Sequence, residues 1–463
     1  MSTSRPEPAL VRVRDHLANE LAGLRPARFL IAYSGGLDST VLLHAAAHLR
    51  RELAPLCAVH IDHGLQAASA SWTAHCQACC EALGVDFISR TVQVDLGGGE
   101  GLEAAARRAR YGAFAELLRA GDCLLTAHHL DDQAETVLLQ LLRGCGPHGL
   151  AAMAPIDDFA SGLHARPLLA VERDALLDYA HAARLSWIDD PSNSDTRLRR
   201  NYLRHDILPR LRRYWPAASR TLARSARHAA AAAALLDERA AEDLTRLQGP
   251  QPDMLSVSGI ASLSRARADN ALRHWLHGLT LPLPGTAQLE RIHTEVLPAR
   301  VDAMPLLAWP GGEIRRYRDW LHAMAPLDPA DSRLVLRWED LRQTLALPGG
   351  ATLTAQRVRG AGLRADLAPL IVRFRQGGEQ CRPASRGHAY PLKQLLQEAG
   401  VPPWLRGHVP LIYGVEASDG IPDPAAGPLA VAGLCIAEGC RADTSAEGWQ
   451  LIWTRGGRSM EIS

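Results

Sequence analysis

Residues 28–33, Arg-Phe-Leu-Ile-Ala-Tyr, form a short apolar run that stops at Ser34-Gly35-Gly36 and gives way to a helical period from Asp38 to about Leu49. This order predicts a strand, a tight turn and a helix. Apolar runs recur at Leu56–Ile61, Val85–Val94 and Cys123–Ala127, each separated from the next by a segment of helical period. Strands that alternate with helices predict an α/β domain with a parallel sheet covered on both faces, and a site at the carboxyl ends of the strands. We place this domain at residues 1–215.

The pattern then changes. Residues 217–247 are dominated by Ala, Leu, Arg and Glu, with neither Gly nor Pro, and predict one long helix. Residues 216–345 read as a mainly helical domain, with periodic patches at 261–276 and 288–296 and a strand near Glu313–Tyr317. Residues 346–463, rich in Gly and Pro with short apolar runs such as 411–413 and 429–436, read as a small mixed α/β domain.

At 463 residues, with 47% hydrophobic and 22% charged positions, the chain is of globular composition, which argues against wholesale disorder and fibres. Arginines throughout residues 5–28 leave no room for the apolar core of a signal peptide, and no later stretch has the roughly 18 apolar residues of a membrane span. Nine scattered cysteines, an odd number, suit free thiols in a reducing cytoplasm. Lys393 is the sole lysine among 51 basic residues. A GxxxxGK[ST] phosphate loop, a kinase and a Schiff-base enzyme all need a placed lysine, so all three are disfavoured.

Five segments carry candidate chemistry. Ser34-Gly35-Gly36-Leu37-Asp38-Ser39 lies between a strand and its helix, where backbone N–H groups can surround phosphate oxygens and Ser39 is expected to cap the helix. His128-His129-Leu130-Asp131-Asp132-Gln133-Ala134-Glu135 follows another strand and sets Asp132 and Glu135 on one helix face, where paired carboxylates can hold Mg²⁺ or orient an amine. A dipole-favoured acidic helix start explains those charges but not the two histidines. His60 ends the second strand, and Arg107 and Arg110 lie one turn apart, placed to clamp a triphosphate or to form a solvated face. Residues 197–227 hold ten arginines against one acid, Asp206, a basic stretch suited to RNA phosphates. Cys76 and Cys79 form the only CxxC, too few ligands for zinc or an iron–sulfur cluster.

The string SGGLDS matches the SGGxDS signature of the PP-loop ATP pyrophosphatases. With His60–Leu65, the helix around Arg107 to Tyr111, HHLDDQAET, Leu142–Pro147, Arg166–Leu169, Trp187–Asn193, Arg200–Arg204 and the far blocks at 373–378, 392–398 and 401–406, the chain resembles the tRNA(Ile)-lysidine synthases over nearly its whole length. The resemblance implies a Rossmann-like, adenine nucleotide α-hydrolase-like first domain. It also implies a cytoplasmic ligase that uses ATP and Mg²⁺ to join L-lysine to C2 of the wobble cytidine of tRNA(Ile) with a CAU anticodon. An adenylated base is the intermediate, and codon reading shifts from AUG to AUA.

On that basis Ser34, Gly35, Gly36, Leu37, Asp38, Ser39, His60 and His129 would bind the nucleotide, and Asp38 and Asp132 the metal. Asp38, Asp132, Glu135, Arg107, Arg110 and Arg204 would carry catalysis, with Arg204 facing ATP or tRNA. Arg200, Arg373, Arg375, Lys393, Trp404 and Arg406 would contact tRNA. A homodimer is compatible with the sequence, and no membrane partner is expected. Rival expectations are a PP-loop tRNA 2-thiocytidine synthetase, a small-molecule ATP-pyrophosphatase ligase, and a non-catalytic RNA-binding module.

Overall fold

The architecture, taken from a computed structural model, is described for residues 8–64, 69–95, 101–300, 303–384, 386–415, 427–455 and 458–461. Leu65, which closes the His60–Leu65 motif, and residues 456–457 of the Arg/Gly-rich tail lie outside the described residues. The chain divides into two compact units, residues 1–236 and 237–463.

In the first unit, β1 (Phe29–Ala32), β2 (Leu56–Asp62), β3 (Asp86–Thr91) and β4 (Cys123–Leu125) join β5 (Ile156–Phe159) and β6 (Gly162–Ala165) in one sheet of order β3-β2-β1-β4-β6-β5. All pairings are parallel except the β5–β6 hairpin at the edge. Side-chain alternation sorts the two faces. Phe29, Ile31, Cys123 and Leu125 pack on one side with α1 (Pro8–Leu21), α2 (Leu37–His48) and α3 (Ser69–Leu83), whereas Leu30, Val59 and Leu124 pack with Phe114 of α4 (Leu102–Leu117) on the other. β1 pairs with β2 on one side and with β4 on the other. The strand order therefore reverses between β1 and β4, and their carboxyl ends open the crevice where parallel sheets bind ligands. The turn after β1 and the start of α5 (Leu130–Leu142) after β4 border that crevice.

Helix Ala218–Leu247, expected from the unbroken run of helix formers, spans the division between the units. In the second unit, helices Val257–Ala261, Arg265–Gly278 and Thr286–Arg291 pack with an antiparallel sheet of strands 254–256, 306–309, 312–317 and 320–324 around Leu255, Leu272, Trp275 and Ile314. The sheet exceeds the single strand expected near 313–317, because its strands are short and Arg-Arg and Trp-rich rather than plainly alternating. Two five-stranded antiparallel sheets follow, with a core containing Trp338, Leu353, Leu370, Leu396, Trp449 and Trp453, and with helices Leu392–Glu398 and Pro403–Arg406. No described helix is long and apolar enough to cross a membrane.

Candidate active site

The turn after β1 is built by its glycines. Gly35 has φ +83°, a left-handed conformation that L side chains avoid, and a Cβ there would lie 2.6 Å from Ile188 Cδ1 and 2.8 Å from Cys76 Sγ. The Ile188 N–H donates to the Gly35 carbonyl at 2.9 Å, so the segment after Trp187 seals the back of the turn. Replacing Gly35 with Ala combines left-handed strain with this collision. The variant should lose about 2 kcal/mol of stability, read by thermal melting, and most of its ATP affinity.

Gly36, in an extended conformation, is the N-cap of α2. This corrects the expectation that Ser39 caps the helix: its Oγ lies within the first turn, donates to the Gly36 carbonyl at 3.0 Å and sits 3.0 Å from Ser34 Oγ. The exposed Ser34 hydroxyl also accepts the Gly36 N–H at 3.3 Å. Asp38, in the same first turn, keeps its side chain 30% exposed, and its buried Oδ1 has no hydrogen-bond partner among the described residues. His60 is buried and donates from Nδ1 to the Tyr33 carbonyl at 3.0 Å, so it steadies the end of β1. Burial lowers its pKa.

Across the crevice, fully buried His129 is the N-cap of α5. Its Nδ1 accepts the Asp131 N–H, while the His129 N–H donates to Asp132 Oδ2 at 3.0 Å, which closes a capping box. His129 Nε2 stands 3.6 Å from Asp38 Oδ2 and 3.5 Å from Asp132 Oδ2, and so links the two motifs. Burial works against its protonation, but the Asp132 and Asp38 carboxylates prevail and raise its pKa. The cap nonetheless needs an unprotonated Nδ1, which fixes the Nε2–H form at neutral pH.

The carboxylates of Asp132 and Glu135 meet two guanidiniums that the sequence reading directed elsewhere. Arg204 donates to Glu135 Oε1 at 2.7 Å and to Asp132 Oδ1 at 2.8 Å, and Arg200 to Glu135 Oε2 at 2.7 Å and Asp132 Oδ1 at 3.2 Å. Arg200 and Arg204 thus both face carboxylates. Their helical segment, Arg199–Tyr202 followed by a π-turn at Leu203–Ile207, presents both to a Glu135 with no solvent exposure. Burial resists the charge on Asp132, yet His129, Arg200, His128 and Arg204 hold its carboxyl well below the usual range. Arg212 is paired with Asp131 in the same region. The complementary i,i+3 acid and i,i+4 arginine spacings were the sequence signal for this cluster.

Arg107 is exposed, 4.7 Å from the Tyr111 ring centroid, and Arg110 donates to His63 Nε2 at 3.3 Å. Burial lowers the pKa of Arg110. Among the described residues no group of three or more His, Cys, Asp or Glu side chains is arranged to hold a metal. Asp38 suits Mg²⁺, which takes one or two carboxylates and completes its shell with phosphate oxygens and water. Asp132 already accepts hydrogen bonds on both oxygens, one from His129 and two from the arginines, so a ligand there would share a carboxylate that is already engaged.

The C-terminal residues expected on tRNA divide into two groups. Lys393 is exposed on its helix, and half-buried Arg375 lies 3.7 Å from Glu379. Arg373 is buried, with its guanidinium 5.9 Å from the Tyr413 ring centroid. Trp404 packs edge-on against His322 and Tyr317 under Arg315, and Arg406 donates to the Val401 carbonyl at 2.9 Å. These three make contacts within the protein, and Trp404 and Arg406 remain half-buried.

A family model described as a PP-loop domain matches residues 9–211, one described as the TilS substrate binding domain matches 255–322, and one described as the TilS substrate C-terminal domain matches 370–453. A protein of Alkalilimnicola ehrlichii is 48% identical, over 86% of this chain and 89% of its own. One from Coxiella burnetii is 42% identical over 92% and 93%, and one from Pseudomonas aeruginosa 43% identical over 96% and 97%. All three are named tRNA(Ile)-lysidine synthase.

Proposed function

The chain belongs to the tRNA(Ile)-lysidine synthase family, and on that premise we propose that it ligates L-lysine to C2 of the wobble cytidine of a CAU-anticodon isoleucine tRNA, consuming ATP. The observation that supports this most is the meeting of Asp38, His129 and Asp132 within 3.6 Å at the mouth of the crevice between β1 and β4. One side of that crevice offers a phosphate-shaped turn and the other an acidic helix start.

In the first step the cytosine C2 oxygen forms a bond to the α-phosphorus, and the bond to the bridging oxygen breaks to release pyrophosphate. In the second step the ε-amine of lysine, having lost a proton, attacks C2, and AMP leaves with the electrons of the C–O bond. Adenylation comes first because the unactivated C2 oxygen is a poor leaving group. The turn at 34–39 holds the phosphates through backbone N–H groups and the α2 dipole. Asp38 would hold Mg²⁺, which when bound offsets charge on the triphosphate. Arg107 or Arg110 stabilises the transferring phosphoryl group. Asp132 attracts and orients the incoming amine, with Arg200, Arg204 and the buried Glu135 keeping it ionised and in place. On this reading residues 1–215 catalyse, 216–345 recognise the substrate, and 346–463 bind tRNA. The product would read AUA rather than AUG.

The tRNA partner is supported by an uncompensated basic surface. Of the ten arginines at 197–227, Arg197, Arg200, Arg204, Arg212 and Arg220 are paired with acids, whereas Arg199, Arg210, Arg213, Arg224 and Arg227 are exposed and without an acidic partner among the described residues. Tyr214 and Trp215, 76% and 63% exposed, stand among them. Replacing Arg213 and Arg224 with Ala should lower the slope of log affinity against log salt by roughly 0.7–0.9 per residue. Trp215→Ala should weaken tRNA binding about tenfold through lost base stacking. Filter binding across a salt series checks both, and an unchanged slope removes this surface from the reading.

The deciding experiment incubates the protein with ATP, Mg²⁺, labelled lysine and total tRNA, then digests the RNA and finds by mass spectrometry which nucleoside gains a lysyl mass. A thiolated cytidine instead, or pyrophosphate release that needs lysine but no tRNA, would transfer the chain to one of the rival activities.

A further inference from the structure

A chain of buried polar groups beneath the crevice has a direction that its chemistry enforces. Arg166, buried and anchored to the Ala154 carbonyl and to Asp157, donates from Nη2 to His164 Nδ1 at 3.0 Å. A guanidinium can only donate, so His164 Nδ1 carries no hydrogen and its Nε2 carries one. That hydrogen goes to Thr126 Oγ1 at 2.8 Å. The buried Thr126 hydroxyl then has one hydrogen of its own and one remaining neighbour, His128 Nδ1, also at 2.8 Å. Were His128 Nδ1 to donate instead, the threonine hydrogen would be buried with no acceptor. His128 is thereby fixed with Nδ1 as acceptor and hydrogen on Nε2, and that N–H has no partner among the described residues. The ring is half-buried, one residue before the N-cap of α5 at the carboxyl end of β4.

We infer that the Arg166–His164–Thr126 chain sets His128 as a neutral Nε2–H donor to an oxygen of the bound nucleotide, either a phosphoryl oxygen of ATP or the carbonyl oxygen of the RNA pyrimidine. The inference rests on the proposed reaction for the identity of the ligand, but not for the tautomer. Burial and the nearby Arg200, Arg107 and Arg166, opposed by Asp132, lower the pKa of His128 to about 3, and burial with Arg166 and Arg107 does the same for His164. A neutral ring donates a hydrogen bond without adding a fixed charge and without surrendering its proton. His128 thus acts on substrate directly, and Thr126, His164 and Arg166 are positioning residues.

The test is nitrogen NMR on the full chain labelled with ¹⁵N-histidine, with the His128 signals assigned by their loss in His128→Gln. In the free protein His128 should show a pyridine-like Nδ1 and a pyrrole-like Nε2, unchanged from about pH 8 to about pH 5, where an ordinary histidine would protonate. A shift of the Nε2–H on adding a non-hydrolysable ATP analogue alone assigns the phosphoryl oxygen. A shift only on adding unmodified tRNA assigns the pyrimidine. A pyrrole-like Nδ1, or no shift with either ligand, overturns the inference. If the free-protein tautomer is as stated but no lysyl nucleoside forms, the reaction assignment fails while the tautomer assignment stands. In kinetics, Thr126→Val should lower kcat about tenfold with the KM for lysine unchanged, and Thr126→Ser should restore it. A folded Thr126→Val protein with full kcat also overturns the inference.

Discussion

Asp38→Asn is expected to reduce ATP-dependent pyrophosphate release by about a thousandfold or more, the scale seen when a group aimed at developing charge is removed. The structure makes this a clean experiment. Among the described residues Asp38 has no hydrogen-bond partner for its buried Oδ1, and its Oδ2 stands 3.6 Å from His129 Nε2. A buried carboxylate oxygen without a donor marks a site awaiting one. Asparagine keeps the shape and removes the charge, so melting temperature and tRNA affinity should stay close to those of the parent. Pyrophosphate release within tenfold of the parent would show that Asp38 does not serve the reaction.

Glu135→Ala should produce the largest loss of stability, about 3 kcal/mol, because it leaves the half-buried Arg200 and Arg204 beside a single remaining carboxylate. Turnover should vanish as well. Those two losses have separate origins, and Glu135→Leu combined with Arg204→Met tells them apart. Removing a charge from each sign restores electrical balance and should recover much of the stability while leaving the protein inactive. Recovery of turnover in the double variant would mean that the cluster is architectural only. The same cluster predicts an acid limit. With the Asp132 carboxyl depressed in the folded state, its contribution is complete above the ordinary carboxylate pKa and is lost as pH falls toward the folded value. Denaturant unfolding at descending pH should show this acid slope, and Asp132→Asn should flatten it.

Both the turn after β1 and the acidic start of α5 were legible in the sequence, because each is written in adjacent residues: a strand, a glycine pair or a histidine pair, then a helix. The long helix 218–247 was legible for the same reason. What adjacent residues cannot display is partnership across the fold. Glu135 and Arg204 are separated by 69 positions and meet at 2.7 Å, and the spacing of each set was visible while their pairing was not. The basic stretch at 197–227 read as one surface, yet half of its arginines neutralise acids and the other half face solvent. Trp404 and Arg406 show the same limit: the resemblance that pointed them toward tRNA could not display their contacts with Tyr317, His322 and the Val401 carbonyl. The 306–324 sheet was only partly visible, since two-residue turns and mixed Arg/Trp strands carry little periodic signal.

The division between the two compact units falls at residues 236 and 237, inside helix Ala218–Leu247, a run of 30 residues. There is consequently no loop for a protease to nick at that boundary, and a fragment ending there would stop in mid-helix with its last carbonyls stripped of their donors. Halves intended for separate expression are better cut on either side of the whole helix, with its full length retained on one piece.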